Sequence, residues 1–573
     1  MTNSKKCGKL KSKKNKNMFT TKQKSLFENK VKTSNKASSF VQAGLKKSVQ
    51  TLSGNGSLKL SSTLNPFVDQ FGKLGSYKAP RSFSDIERDC ELLWVEDPLK
   101  ASKFIGYLRT IPRKVKLMTG ETTDEPQLGA ELKHESIFRM IWLSQKSPDT
   151  FWANIDLFVS LGSWHDVFTM LQYDLVYNGW NNRKLNWAKF GELILQALGN
   201  SNTSELVKKY LPQIKAKSAC TTVESQANCM IAKWICSLLF GSKESASSYK
   251  QYRKLKTSGT AHDWQKLISQ KKFSLIDFGK IHGRALNKLV RSKFLANQGL
   301  TEKYGSWVKK ATDVKYTGFV HELFNALPYN LSGIPDHQQD TINKQFDTLV
   351  QKAKNESKEN QCNFIVARDI SGSMKSPAVG LKMSSFDVAK SLALYFSQFL
   401  TGPFADSFIT FESKATMHQW KGKTVLEKWY NEKVNNFGST NFQSVIDLFC
   451  NLKAQGIPEN EFPTGILAIS DGDFNPTECG NTNVKAAKNK LVQAGFSKEF
   501  VDKFVIVLWN IPNGFYSRPY AQFEGTANET GAYYFGGFSP SIISFLMGKE
   551  IMTPEQLFDT AMNQNVLNLM EIK

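Results

Sequence analysis

The chain has 573 residues, 40% hydrophobic and 12% aromatic, which is too long for one compact domain and too apolar for wholesale disorder. Its formal net charge of +24 is uneven: fourteen lysines against Glu28 alone give residues 1–50 a net +13, residues 51–360 carry another +13, and residues 361–573 sit at −2. Eight cysteines without a C-x-x-C pair or a histidine at zinc-finger spacing argue against structural zinc, and no apolar run is long enough to cross a bilayer. These features predict a cytoplasmic protein with reduced thiols and no membrane partner.

Residues 1–62 are Lys, Ser, Asn and Thr with few apolar side chains, and are predicted to be a disordered Lys-rich tail. Residues 63–357 read as helix after helix. Asp97-Pro98 has the form of an N-cap followed by proline at the first helical position, with Leu99, Phe104, Tyr107 and Leu108 facing inward. Further helices are predicted over 135–144, 150–160, 163–176, 189–198, 204–211, 225–240 and 280–296, with Gly162-Ser163 ending one and starting the next. Short helices with short links predict an α-helical, HEAT-like solenoid or ring of antiparallel pairs, although no strict repeat period is visible.

Residues 358–573 follow a different pattern. Short β-prone runs at 363–368, 406–411, 466–470, 504–509 and 532–535 alternate with amphipathic helices over 385–399, 442–454 and 484–494. That alternation predicts an α/β, doubly wound, Rossmann-like domain whose ligand site lies beyond the carboxyl ends of its strands. Directly after the first run stands Asp369-Ile370-Ser371-Gly372-Ser373-Met374. A D-x-S-x-S turn there aims one carboxylate and two hydroxyls at a common point, and hard oxygens of this kind suit Mg²⁺ or Mn²⁺. Thr440, just before a predicted helix, and Asp471, at the end of a predicted strand, are the expected further oxygen donors. The plain alternative is a metal-free turn capped by its own side chains.

These five positions resemble the metal-ion-dependent adhesion site (MIDAS) of von Willebrand factor A domains. A helical region followed by such a domain resembles the Ro autoantigen architecture, a TROVE ring of HEAT-like helices closed by a von Willebrand A domain, and still more the uncharacterised TROVE-like proteins. Residues 161–166 (Leu-Gly-Ser-Trp-His-Asp) and 252–255 (Tyr-Arg-Lys-Leu), followed by Ile276-Asp277 and residues 280–285, carry the helical part of the resemblance. It implies that the serines and the threonine touch the metal, that the aspartates act largely through water, and that an open position takes an acidic group of a partner. It also implies a ribonucleoprotein role, with single-stranded 3′ ends or small structured RNAs as ligands.

The residues themselves offer an RNA-binding stretch. Lys250, Arg253, Lys254 and Lys256 cluster beside Tyr249 and Tyr252, whose rings could stack on bases. Arg284, Lys288 and Arg291 recur at i, i+4, i+7, with Lys293 close behind, so one helix face would carry cations toward a phosphate backbone. A solvated face neutralised by nearby acids is the alternative. No P-loop, G-x-G-x-x-G or G-x-S-x-G is present, and His321-Glu322 lacks a second zincin histidine. The expectation is a non-enzymatic RNA-binding protein with a Mg²⁺-binding second domain. The rival is an interaction scaffold, of phage or virion association, whose metal captures an acidic partner residue.

Overall fold

Small polar side chains and prolines open many helices of the first half in the computed structural model. Asn65 Oδ1 accepts from the backbone N of Phe67 and Val68 at 3.0 and 3.2 Å, and Asp97 accepts from Lys100 N at 2.9 Å with Pro98 at the first helical position. The structure describes residue 50 onward except 53–54, 75–76, 78–80, 242–244, 260–262, 282, 357–362, 435–437, 473, 478–481, 514–526, 528–530 and 539–551. Residues 1–51 and 52–573 form separate units. The helices and the six-stranded sheet belong to the second, and the tail expected over 1–49 lies outside the described residues.

The helical region contains α1 (Pro66–Gly72), α2 (Phe83–Glu96), α3 (Pro98–Arg109), α4 (Lys133–Lys146), α5 (Pro148–Leu161), α6 (Trp164–Asn178), α7 (Trp187–Gly199), α8 (Ser204–Tyr210), α9 (Val223–Phe240), α10 (Ala246–Ser258), α11 (Asp263–Ser269), α12 (Gly283–Arg291), α13 (Phe294–Asn297), α14 (Thr301–Lys310) and α15 (Asp336–Glu356). Phe104, Tyr107 and Leu108 of α3 are buried as expected, whereas Leu99 is 38% exposed. It lies in the first turn, ahead of Ala101, where the buried part of the helix begins. The single helix expected over 280–296 is two. Ser292 breaks it, its hydroxyl accepting from Phe294 N at 3.2 Å.

Gly162-Ser163 does end α5 and start α6. Asp166 closes a capping box by accepting from Ser163 N at 2.9 Å, and the same carboxylate takes Arg109 Nε at 2.6 Å. A side chain at position 162 would overlap both the Asp166 carboxylate and the Arg109 guanidinium, so glycine is required by close approach. Here the Leu-Gly-Ser-Trp-His-Asp stretch serves the helix junction.

The C-terminal region holds β1 (Phe364–Asp369), α16 (Ser385–Ser397), β2 (Ser407–Phe411), β3 (Ala415–Gln419), α17 (Val425–Asn431), α18 (Gln443–Ala454), β4 (Gly465–Ser470), α19 (Asn483–Gln493), α20 (Lys498–Lys503), β5 (Val505–Asn510), β6 (Ala532–Gly536) and α21 (Pro554–Met562). The six strands form one mixed sheet in the order β3-β2-β1-β4-β5-β6, parallel except for the antiparallel edge strand β3. β1 and β4 are buried at every position, as parallel strands covered on both faces require. Alternate residues feed opposite cores: Val366, Leu467, Ile469, Val507 and Trp509 join α16 on one face, and Ile365, Ala367, Ile466, Ala468 and Ile506 join α18 and α19 on the other.

One boundary differs from expectation. Order begins before residue 63: Leu58–Leu60 is a short strand, and Lys59 is 1% exposed, donating from Nζ to Gly472 O at 3.1 Å and lying over the Phe474 ring. A lysine buried with a carbonyl and an aromatic face is held as firmly as an apolar residue, which composition does not reveal. Residues 554–573, expected to belong to the α/β domain, also make contact with the helical region. Phe558 of α21 stacks among Phe67, Phe71 and Phe104 with ring centroids at 5.3, 5.6 and 5.8 Å, and Glu571 N donates to Asn154 Oδ1 at 3.0 Å. One hydrophobic core therefore runs through both regions.

Candidate metal centre and basic surface

The carboxyl ends of β1 and β4 lie side by side because these strands pair in parallel at the sheet centre. Asp369 is the last residue of β1 and fully buried. Its Oδ1 accepts from Ser371 N at 2.7 Å and its Oδ2 from Ser470 Oγ at 2.6 Å. Ser371 Oγ and Ser373 Oγ are 3.1 Å apart, so the turn does bring the three side chains of the D-x-S-x-S motif together. Asp471 follows β4; its Oδ2 accepts from Asn513 Nδ2 at 2.7 Å, and the same amide reaches Ser373 O at 3.4 Å. Burial, followed by the nearby Asp471 carboxylate, pushes the Asp369 carboxyl up to about 7. Two carboxylates crowded in a poorly solvated turn are the electrostatic setting that a bound cation relieves.

Thr440 stands on a third loop at the same end of the sheet and is 3% exposed. Asn475 N donates to Thr440 O at 2.8 Å, tying this loop to the one after β4, and Asn441 N donates to Glu412 O at 2.8 Å, tying it to the end of β2. Phe411, Phe442 and Phe474 pack beneath, with centroids 5.7–6.3 Å apart. The donors gathered at this end, hydroxyls and carboxylates, are those that Mg²⁺ or Mn²⁺ prefers. Among the described residues no group of three or more His, Cys, Asp or Glu side chains forms a metal cluster; a site built here would depend on hydroxyls. Ser470, Asn513 and Lys59, which hold the aspartates and their loop, are not among the expected residues. Ser470 is legible as the neighbour of Asp471, but nothing local marks the other two. Asp473 lies outside the described residues.

The expected RNA-binding residues separate into two groups. Lys250, Arg253 and Lys254 are exposed on α10, and Tyr249 is half-buried. Tyr252 is fully buried and donates from its hydroxyl to Pro212 O at 2.9 Å, so its ring is unavailable for stacking. Lys256 turns inward, donating to Lys209 O at 3.2 Å and Leu211 O at 2.5 Å at the end of α8. On α12, Lys288 is exposed, as is Lys293 beyond it. Arg284, however, pairs with Glu322 at 2.7 Å and Glu131 at 3.5 Å, and Arg291 donates to Asn325 O at 2.5 Å and to Leu323 O. The i, i+4, i+7 spacing is real, but distant acids and carbonyls occupy two of its three cations.

The structure adds a basic cavity of about 510 Å³ between α6, α8 and α9, bordered by His165, Lys209, Tyr210, Lys215 and Lys256. The His165 ring lies against Tyr210 at 6.0 Å, with its Nδ1 2.8 Å from Lys133 Nζ. Burial, followed by the Lys133 charge, lowers the His165 pKa. No described helix is long and apolar enough to cross a membrane.

The chain is 25% identical over 338 residues to the uncharacterized protein L728 of Acanthamoeba polyphaga mimivirus, a match covering 56% of this chain and 55% of that protein. It thus spans about half the length of that curated relative. Residues 363–570, the sheet with the Asp369, Thr440 and Asp471 turns and the segment that returns to the helices, match a family described as a domain of unknown function, DUF7788.

Proposed function

We propose that the chain is a non-enzymatic, cytoplasmic RNA-binding protein, a ribonucleoprotein component with a TROVE-like, HEAT-type helical region (63–357) and a von Willebrand A-like domain (358–573) that binds Mg²⁺ or Mn²⁺. The observation that carries the RNA reading is the basic cavity edged by Lys209 and Lys215 with Tyr210 at its border, near the exposed Lys250, Arg253 and Lys254 of α10. Cations beside an aromatic ring suit a single strand, whose phosphates and base faces are both accessible. For the metal, Ser371, Ser373 and Thr440 would supply hydroxyls, and Asp369 and Asp471 negative charge. The strand order, with an antiparallel edge strand on an otherwise parallel sheet, supports the domain assignment. When bound, the ion supplies an open coordination position for an oxygen ligand.

Filter binding to single-stranded and structured RNA tests the first half. Affinity should fall steeply with salt, and K250E/R253E/K254E should weaken it about tenfold or more, while Tyr252→Phe leaves it unchanged. Micromolar-or-weaker affinity insensitive to salt removes the RNA reading. Mn²⁺ titration followed by electron paramagnetic resonance tests the second half: Asp369→Ala and Ser371→Ala should each abolish binding, and wild-type protein that binds no Mn²⁺ removes the metal reading.

A scaffold role is favoured by one further observation: Gly372 is exposed and Ser373 half-exposed, so the turn opens to a partner's carboxylate. The discriminating result is an Asp369→Ala protein that loses a protein partner and keeps its RNA affinity.

A further inference from the structure

A second cavity, of about 410 Å³, lies over the β2–β3 edge of the sheet. Ile370, Phe408 and Trp420 give it an apolar floor, and Lys414, Lys421 and Lys433 stand among its lining residues with Glu412 and Glu432. The strands place these side chains together: Phe408 pairs with His418 and Thr410 with Thr416 across the antiparallel β2–β3 ladder. Phe408 stacks on Trp420 with centroids 4.1 Å apart.

Two buried cations share one buried carboxylate at this floor. Arg368, fully buried, ion-pairs through Nη2 with Glu432, and Lys390 Nζ pairs with the other oxygen of the same carboxylate at 2.7 Å. Asp387 contributes a further, weaker attraction to Lys390. The Arg368 guanidinium lies near the rings of Phe386 and Phe408 at 4.6 and 5.4 Å; among the described residues its Nε and Nη1 have no hydrogen-bond partner. Trp420 is 5% exposed, lines the cavity, and its Nε1–H likewise has no acceptor among the described residues. Buried donors without acceptors are rare and costly, and an excess of buried cation is more so.

We infer that this cavity binds a small phosphate monoester, with the oxyanion answering the Trp420 indole N–H and the surrounding lysines, and the organic part lying on the Ile370–Phe408 floor. The volume exceeds what inorganic phosphate fills and lies within the range of small-molecule sites. Lys414, Lys421 and Lys433 against Glu412 and Glu432 line the cavity, and Arg368 and Lys390 stand behind it with Asp387 beside Lys390, so the groups at the site keep a net positive charge in a partly enclosed space. The inference is independent of both the RNA and the metal readings.

The test is calorimetric titration of the full chain with AMP, adenosine and inorganic phosphate, in EDTA so that no metal-bridged phosphate contributes. AMP should bind, inorganic phosphate more weakly, and adenosine weakest. Trp420→Phe keeps the ring but removes the N–H, and should weaken AMP about tenfold; Lys433→Gln should weaken it a few-fold. In 5-fluorotryptophan-labelled protein, the resonance missing from the Trp420→Phe variant should shift on AMP addition. Absence of AMP binding at millimolar concentration, adenosine binding as tightly as AMP, or unchanged AMP affinity in both variants overturns the proposal.

Discussion

Glu432→Gln isolates the one carboxylate that neutralises two buried cations. Its side chain is 6% exposed, that of Arg368 0%, and that of Lys390 9%. Glutamine keeps the volume and one acceptor but no charge, so Arg368 loses its ion pair and Lys390 keeps only the weaker attraction of Asp387. Breaking a buried pair by removing one partner costs about 3–5 kcal/mol, most of it the penalty of the charge left behind. Urea unfolding followed by circular dichroism and tryptophan fluorescence should show a loss of that order. Glu499→Gln at the exposed Lys503–Glu499 pair should leave the midpoint unchanged.

The loss should also depend on pH. Burial, against the pull of Glu432, lowers the Lys390 pKa from its ordinary 10.5, so between the folded and unfolded values the unfolded chain holds the extra proton and stability rises with pH. Removing Glu432 lowers the folded value further and widens that window. The variant should therefore recover part of its deficit in alkali. A loss below about 1 kcal/mol, the range of exposed pairs, with no alkaline recovery, would refute the reasoning.

Two further perturbations test the packing. Phe558→Ala empties the space between three rings of α1 and α3, and should cost about 3–5 kcal/mol, unfolding helical and α/β regions in one transition because they share a core; two separated transitions would contradict that. Lys59→Met keeps most of the buried volume but strips the donor from Gly472 O, and should cost about 1–3 kcal/mol by denaturant titration, whereas a truly disordered tail would show no change.

Much of the local structure is legible in the sequence because its signals are local. Asp97-Pro98, Gly162-Ser163 and the apolar runs of β1, β4 and β5 state their own conformation through capping, φ restriction and side-chain alternation. The edge strand β3 escapes such a reading because Ala415–Gln419 is half-exposed and lacks an apolar run. Helix α17 escapes it because seven residues carry too little periodicity to register. The D-x-S-x-S turn is readable for the same local reason as the caps: two residues of spacing bring its oxygens together whatever the rest of the chain does.

By itself, then, the sequence determined most of the helices and central strands, the charge asymmetry and the Asp369–Ser373 turn, all of which depend on neighbours within a few residues. Only the tertiary structure decided which cations face solvent. Arg284 and Arg291 look identical to Lys288 along the chain, yet they bond to Glu131, Glu322, Leu323 and Asn325, and no spacing rule encodes an acceptor 32 to 153 residues away. It also decided that Lys59 is buried and that residues 554–573 close on the helices, because burial is set by what the rest of the chain brings to a side chain.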